Sequence, residues 1–105
     1  MPIDSLIKLE LRPCAEADLH GFPPPVKATA LKALRLMSSM TLLQLQANGG
    51  LDFHKLQGMS DPLNGRGLWA FRINRGARGI CLLETGPKVV IVSMHSDHKK
   101  ACTIR

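Results

Sequence analysis

Aromatic residues make up 4% of this 105-residue chain: one Trp, three Phe and no Tyr. So sparse a set leaves little for base stacking, which argues against an RNA-binding sheet faced with aromatic rings. The three cysteines, Cys14, Cys81 and Cys102, are odd in number and widely spaced. That excludes a zinc-holding Cys-x-x-Cys pair and a dense disulfide frame, and it predicts reduced thiols. No stretch approaches the roughly 18 apolar residues a membrane helix needs. The start, Met1-Pro2-Ile3-Asp4, lacks the basic and apolar regions of a signal peptide. A cytoplasmic protein without membrane contact is the expectation. Acids are scarce too: 8 Asp plus Glu against 14 Lys plus Arg give a net charge of +6. From Gly65 onward only Glu84 and Asp97 are acidic, while Arg66, Arg72, Arg75, Arg78, Lys88, Lys99, Lys100 and Arg105 are basic. Positive potential gathers in the last third and favours a polyanionic partner.

The length suits one domain, spanning residues 1–105. Ile7, Leu9 and Leu11 alternate with Lys8, Glu10 and Arg12, the period-two mark of a half-buried strand that ends at Pro13. A short helix over residues 14–22 is closed by Gly21 and Pro23-Pro24-Pro25. Pro25 then enters the first turn of a second helix, whose stripe of Val26, Ala30, Ala33, Leu34, Met37 and Met40 faces the core. Asn48-Gly49-Gly50 stops it. Residues 51–67, punctuated by Gly58, Pro62, Gly65 and Gly67, read as loop with a short strand near 53–56.

Three strands follow. Leu68-Trp69-Ala70-Phe71-Arg72-Ile73-Asn74 turns at Arg75-Gly76, runs on through residues 77–83, and turns again at Gly86-Pro87. The last run, residues 88–94, delivers His95-Ser96-Asp97-His98-Lys99-Lys100. The order predicts an α+β domain: a small antiparallel sheet, mixed at the first strand, with two N-terminal helices packed on one face. The other face is left for ligand. Guanidiniums, imidazoles and a carboxylate on one small sheet form a kit for breaking phosphodiesters.

In that order the chain resembles the RelE/ParE toxin superfamily, and within it the HigB-like mRNA interferase branch. The residues that carry the resemblance are Ala15-Glu16-Ala17-Asp18-Leu19-His20-Gly21-Phe22-Pro23, Lys55-Leu56-Gln57-Gly58, Gly67-Leu68-Trp69-Ala70-Phe71-Arg72-Ile73-Asn74 and Arg78-Gly79-Ile80-Cys81. They are similar to the family's segments in order and spacing. The resemblance implies a RelE-like fold and a type II toxin held by a cognate antitoxin in a hetero-oligomer. It also implies ribosome-dependent endoribonuclease action on mRNA, with no metal and no organic cofactor. The same scaffold serves the ParE branch as a gyrase poison without cutting RNA, so a non-nuclease toxin or binding module stays open.

By the same resemblance, Arg72 and Arg78 match the positions that hold the scissile phosphate, where a planar guanidinium binds in bidentate fashion. His95 matches the histidine closing the HigB-like C-terminal ending, and an imidazole suits proton transfer near neutrality. The family's C-terminal Tyr has no counterpart here. A second alignment sets His98-Lys99 at a RelE-like ending, and Asp97 stands where it can orient either histidine. His54 lies near a HigB-like loop histidine, although Gln57 aligns better after Lys55-Leu56. Arg66, Lys99, Lys100, Lys55 and His54 are candidates for contact with RNA. His95, Asp97 and His98 lack a fourth ligand, so zinc is not expected. His20 reads as helix surface and Cys81 as a small buried hydrophobe.

Whether the arginines share a face depends on the turn. A two-residue Arg75-Gly76 loop pairs Asn74 with Ala77 and sets Arg78 opposite Ile73, away from Arg72. A three-residue loop with a bulge makes them co-facial, and the proposed chemistry requires that arrangement.

Overall fold

Alternation, proline and glycine place most of the elements. The computed structural model describes residues 5–96. In chain order these are β1 (Lys8–Leu11), α1 (Pro13–Gly21), α2 (Pro24–Ser38), α3 (Leu42–Ala47), β2 (His54–Ser60), β3 (Gly67–Asn74), β4 (Ala77–Glu84) and β5 (Lys88–Ser96). The strands form one sheet in the order β1-β5-β4-β3-β2, with β1 parallel to β5 and the other pairs antiparallel. This is the expected α+β architecture, mixed at the first strand.

Proline occupies the first turns of α1 and α2, where its missing N–H costs nothing. Ala30, Ala33, Leu34, Met37 and Met40 are buried as the helical spacing requires. Together with Leu19 and Leu45 they cover Phe71, Ile73, Cys81, Val89, Ile91 and Met94 on one sheet face. Burying a large apolar side chain of this kind is worth about 1.5–3 kcal/mol. Cys81 is free and fully buried, and burial pushes its thiol far above the ordinary value. Cys14 is disulfide-bonded, contrary to the expectation of reduced thiols throughout.

Two expectations need correction. The second helix ends at Ser38 instead of continuing toward Asn48, because Thr41 and Gln44 form a capping box that starts α3. Thr41 Oγ1 accepts from the Gln44 N–H at 3.2 Å, and Gln44 Oε1 accepts from the Thr41 N–H at 3.0 Å. The Met40 carbonyl accepts from the Ile7 N–H at 2.9 Å, which turns the chain toward β1. The stretch read as loop holds a seven-residue edge strand, β2, longer than the short strand expected there. It pairs with β3 at His54↔Ala70, Lys55↔Trp69 and Ser60↔Gly67, with an irregularity between. Phe53 anchors its start by stacking on Trp69, ring centroids 5.0 Å apart.

The face away from the helices is not wholly open. At one end Leu68, Leu82, Val90 and Val92 form a second buried cluster with Leu56 and Ile80. Arg12, just after β1, donates through both Nη atoms to the two carboxylate oxygens of Asp61, just after β2, at 2.9 Å each. This pair links the segments that follow the two edge strands of the sheet, β1 and β2. Arg12 holds the Asp61 carboxyl below its ordinary range, and Asp61 raises the guanidinium in return. No helix among the described residues is long and apolar enough to cross a membrane.

Candidate functional site

The β3–β4 turn is the two-residue Arg75-Gly76 type, with Asn74 Oδ1 accepting from the Gly76 N–H at 2.9 Å. Asn74 pairs with Ala77, as that turn dictates, yet the next pair is Arg72↔Arg78. Ile73 is the extra residue. The bulge that makes the arginines co-facial therefore lies within β3, and the loop itself stays tight.

A second irregularity acts on β5. Cys81 pairs with Ile91 but Ile80 pairs with Ser93, leaving Val92 over. The sequence row Val89, Ile91, Ser93, His95 is broken here: Val89 and Ile91 face the helices, whereas Ser93 and His95 turn to the other side. Arg78 pairs with His95. Arg72, Arg78 and His95 thus stand as direct neighbours across three strands, on the face away from the helices.

The β2 side extends the row. Leu51 O accepts from the Arg72 N–H at 2.6 Å, so the segment entering β2 runs beside Arg72. Asp52 Oδ2 lies 4.0 Å from Arg72 Nη2 and 3.9 Å from His54 Nδ1. His54 pairs with Ala70, two residues from Arg72, and so shares its face. Its Nδ1 lies 2.7 Å from the Asp52 carbonyl oxygen. A carbonyl only accepts, so this nitrogen carries a proton, and in the neutral ring Nε2 is then the acceptor. The side chains of Arg72, Asp52 and His54 are 47%, 48% and 45% exposed, open to a large ligand.

His95 is half-buried, and its Nδ1 and the Ser93 hydroxyl have no hydrogen-bond partner among the described residues. β1 ends at Leu11↔Ile91, before β5 does. Beyond that point the buried Asp18 of α1 accepts from the Met94 N–H at 2.9 Å, substituting for a neighbouring strand. Asp18 thereby steadies the segment that carries His95. Neither Asp18 nor Asp52 was singled out from sequence. The available signal for Asp18 was an acid between Ala15 and Leu19 on the buried face of α1.

Other candidates sit elsewhere. Lys55 pairs with Trp69, whose ring belongs to the helix-side core, so strand alternation turns Lys55 away from Arg72. Arg66 precedes β3 at its far end, about 20 Å along the strand from Arg72. It lines a separate cleft of about 430 Å³ with Leu42, Leu83 and Pro87. Asp97, His98, Lys99 and Lys100 lie outside the described residues. Among the described residues no cluster of His, Cys, Asp and Glu could hold a metal ion.

No protein-family model matches the chain, and no curated protein matches it in sequence. Solved structures do match. A chain of the archaeal RelE–RelB complex from Pyrococcus horikoshii gives a TM-score of 0.63 at 14% identity, covering 88% of this chain and 96% of that one. The toxin–antitoxin complex RelBE2 from Mycobacterium tuberculosis gives 0.58 at 17% identity, covering 88% and 99%. A copper-bound mutant toxin from Helicobacter pylori gives 0.52 at 19% identity, covering 90% and 97%. The chain therefore has the RelE-like fold.

Proposed function

We propose that this chain, as a single domain, is the toxin of a type II toxin–antitoxin system. In this reading it is a metal-independent, HigB-like endoribonuclease that cuts mRNA on the ribosome in the cytoplasm. The observation that carries the reading is the row of Arg72, Arg78 and His95 across β3, β4 and β5. The two toxin–antitoxin complexes of the same fold support a cognate antitoxin as partner.

Cleavage of RNA by its own 2′-hydroxyl needs a proton acceptor, charge compensation at phosphorus and a proton donor for the departing 5′-oxygen. His54 Nε2 takes the 2′-hydroxyl proton, and the oxygen attacks phosphorus. Arg72 and Arg78 hold the phosphate oxygens as negative charge builds. His95 as imidazolium gives its proton to the 5′-oxygen as the P–O5′ bond breaks, leaving a cyclic phosphate and a free 5′-hydroxyl. Asp97, His98, Lys99 and Lys100 follow His95 in the chain and belong to the same proposal, Asp97 as orienting carboxylate, His98 as the alternative proton carrier and the two lysines on RNA.

Purified protein incubated with programmed ribosomes should generate new mRNA 5′ ends that disappear for Arg78→Ala. A wild type that makes none, or a folded Arg78→Ala that cuts equally well, defeats the reading. The absence of any tyrosine favours a second reading, a non-nuclease toxin of the same fold acting on gyrase. Inhibition of supercoiling without new 5′ ends would select it.

A further inference from the structure

We propose that Asp52 is a positioning residue that presets His54 as proton acceptor and steadies Arg72; this rests on the nuclease reading above. Asp52 is the only residue other than glycine with positive φ among the described residues, at 47°. Asp tolerates this left-handed conformation better than most side chains. Strained backbone of this kind persists where its surroundings hold it. Here the Asp52 N–H donates to Asn48 O at 3.2 Å, and the preceding Leu51 carbonyl is bound by Arg72 at 2.6 Å. The turn is thus fastened to α3 on one side and to β3 on the other.

From that fixed point Asp52 acts twice. Its carbonyl oxygen, 2.7 Å from His54 Nδ1, selects the tautomer that leaves Nε2 able to accept a proton. Its carboxylate, 3.9 Å from the same nitrogen and 4.0 Å from Arg72 Nη2, faces both groups at once. When His54 takes up a proton, this carboxylate balances the new charge while keeping the guanidinium beside the phosphate. All three side chains are about half exposed, so such pairs add little to stability. Orientation is their contribution.

The test uses Asp52→Asn, which keeps the carbonyl and tolerates positive φ, and Asp52→Val, which resists that backbone. Nitrogen NMR of the imidazole, which needs no activity, should find the proton on Nδ1 of His54 in the wild type and in Asp52→Asn. A shift toward Nε2 is expected in Asp52→Val. In the ribosome assay Asp52→Asn should lower kcat about tenfold with KM unchanged, and should lose most of that effect in a His54→Ala background, where only its contact with Arg72 remains to be lost. An Nε2-protonated wild type, or losses that multiply independently in the double variant, would overturn the proposal. If Asp52→Val does not fold, the Asp52→Asn cycle decides alone. A wild type that cuts no mRNA defeats the nuclease reading, and the NMR result still decides whether Asp52 governs His54.

Discussion

Arg78 lies on the solvent side of β4 between Arg72 and His95, so shortening it removes charge without opening the core. Arg78→Ala and Arg72→Ala should each leave unfolding free energy within about 0.5 kcal/mol of wild type. Cleavage should fall about 100-fold or more, the scale seen when a donor to developing charge is lost. Urea denaturation read beside the 5′-end assay separates the two effects. Gly79 presents the opposite case. A Cβ there would stand 2.1 Å from Phe71 Cζ, and that ring is fully buried. Gly79→Ala should therefore destabilise the fold by about 2–3 kcal/mol, measured by denaturant midpoint. A midpoint unchanged from wild type would mean the ring does not lie across Gly79. The chemistry of Arg72, Arg78 and His95 was legible because charged side chains in apolar strands stand out. Asp52 was not, since its importance comes from a backbone angle and a carbonyl, neither of which a residue letter encodes.

Elements were legible where local rules are strong. Proline marks the starts of α1 and α2, and Arg75-Gly76 marks the tight turn. The break before α3 was also written in the chain as Thr41-x-x-Gln44, but the apolar stripe running through Met40 concealed it. Thr41→Ala should cost about 1 kcal/mol, with hydrogen exchange quickening first at the start of α3. The bulges at Ile73 and Val92 were beyond local reading, because each depends on how a strand matches its neighbour. Asp18 belongs to this scale too: its carboxylate completes β5 where β1 has ended. Asp18→Ala should leave the Met94 N–H unpaired and cost about 1–3 kcal/mol. Fast amide exchange confined to the end of β5 would mark the loss, and protection equal to wild type would count against this role.

At the scale of the whole molecule, the Arg12 and Asp61 pair connects segments 49 residues apart, beside the two edge strands of the sheet. Asp61→Asn leaves a partly buried guanidinium without its counter-charge, at a cost of about 2–4 kcal/mol. The pH dependence has a definite sign. Folding lowers the Asp61 pKa below the ordinary 3.8, so its contribution is complete above that value. It drains away as pH falls from 3.8 through the lowered folded value. Melts of wild type and Asp61→Asn should stay separated by a constant gap from pH 7 to about 5 and converge in stronger acid. A gap indifferent to acid would contradict the assignment.

The two one-residue irregularities also bear on how such a scaffold changes occupation over generations. Evening out the ladder by a one-residue register slip, with Ile73 or Val92 kept in line, would swing a guanidinium or the imidazole to the opposite side. Every polar letter of the kit would survive in the gene while the kit itself came apart. A slip of one residue in strand pairing is thus enough to separate descendants that cut from descendants that only bind, and comparison of residue types alone would miss the divide.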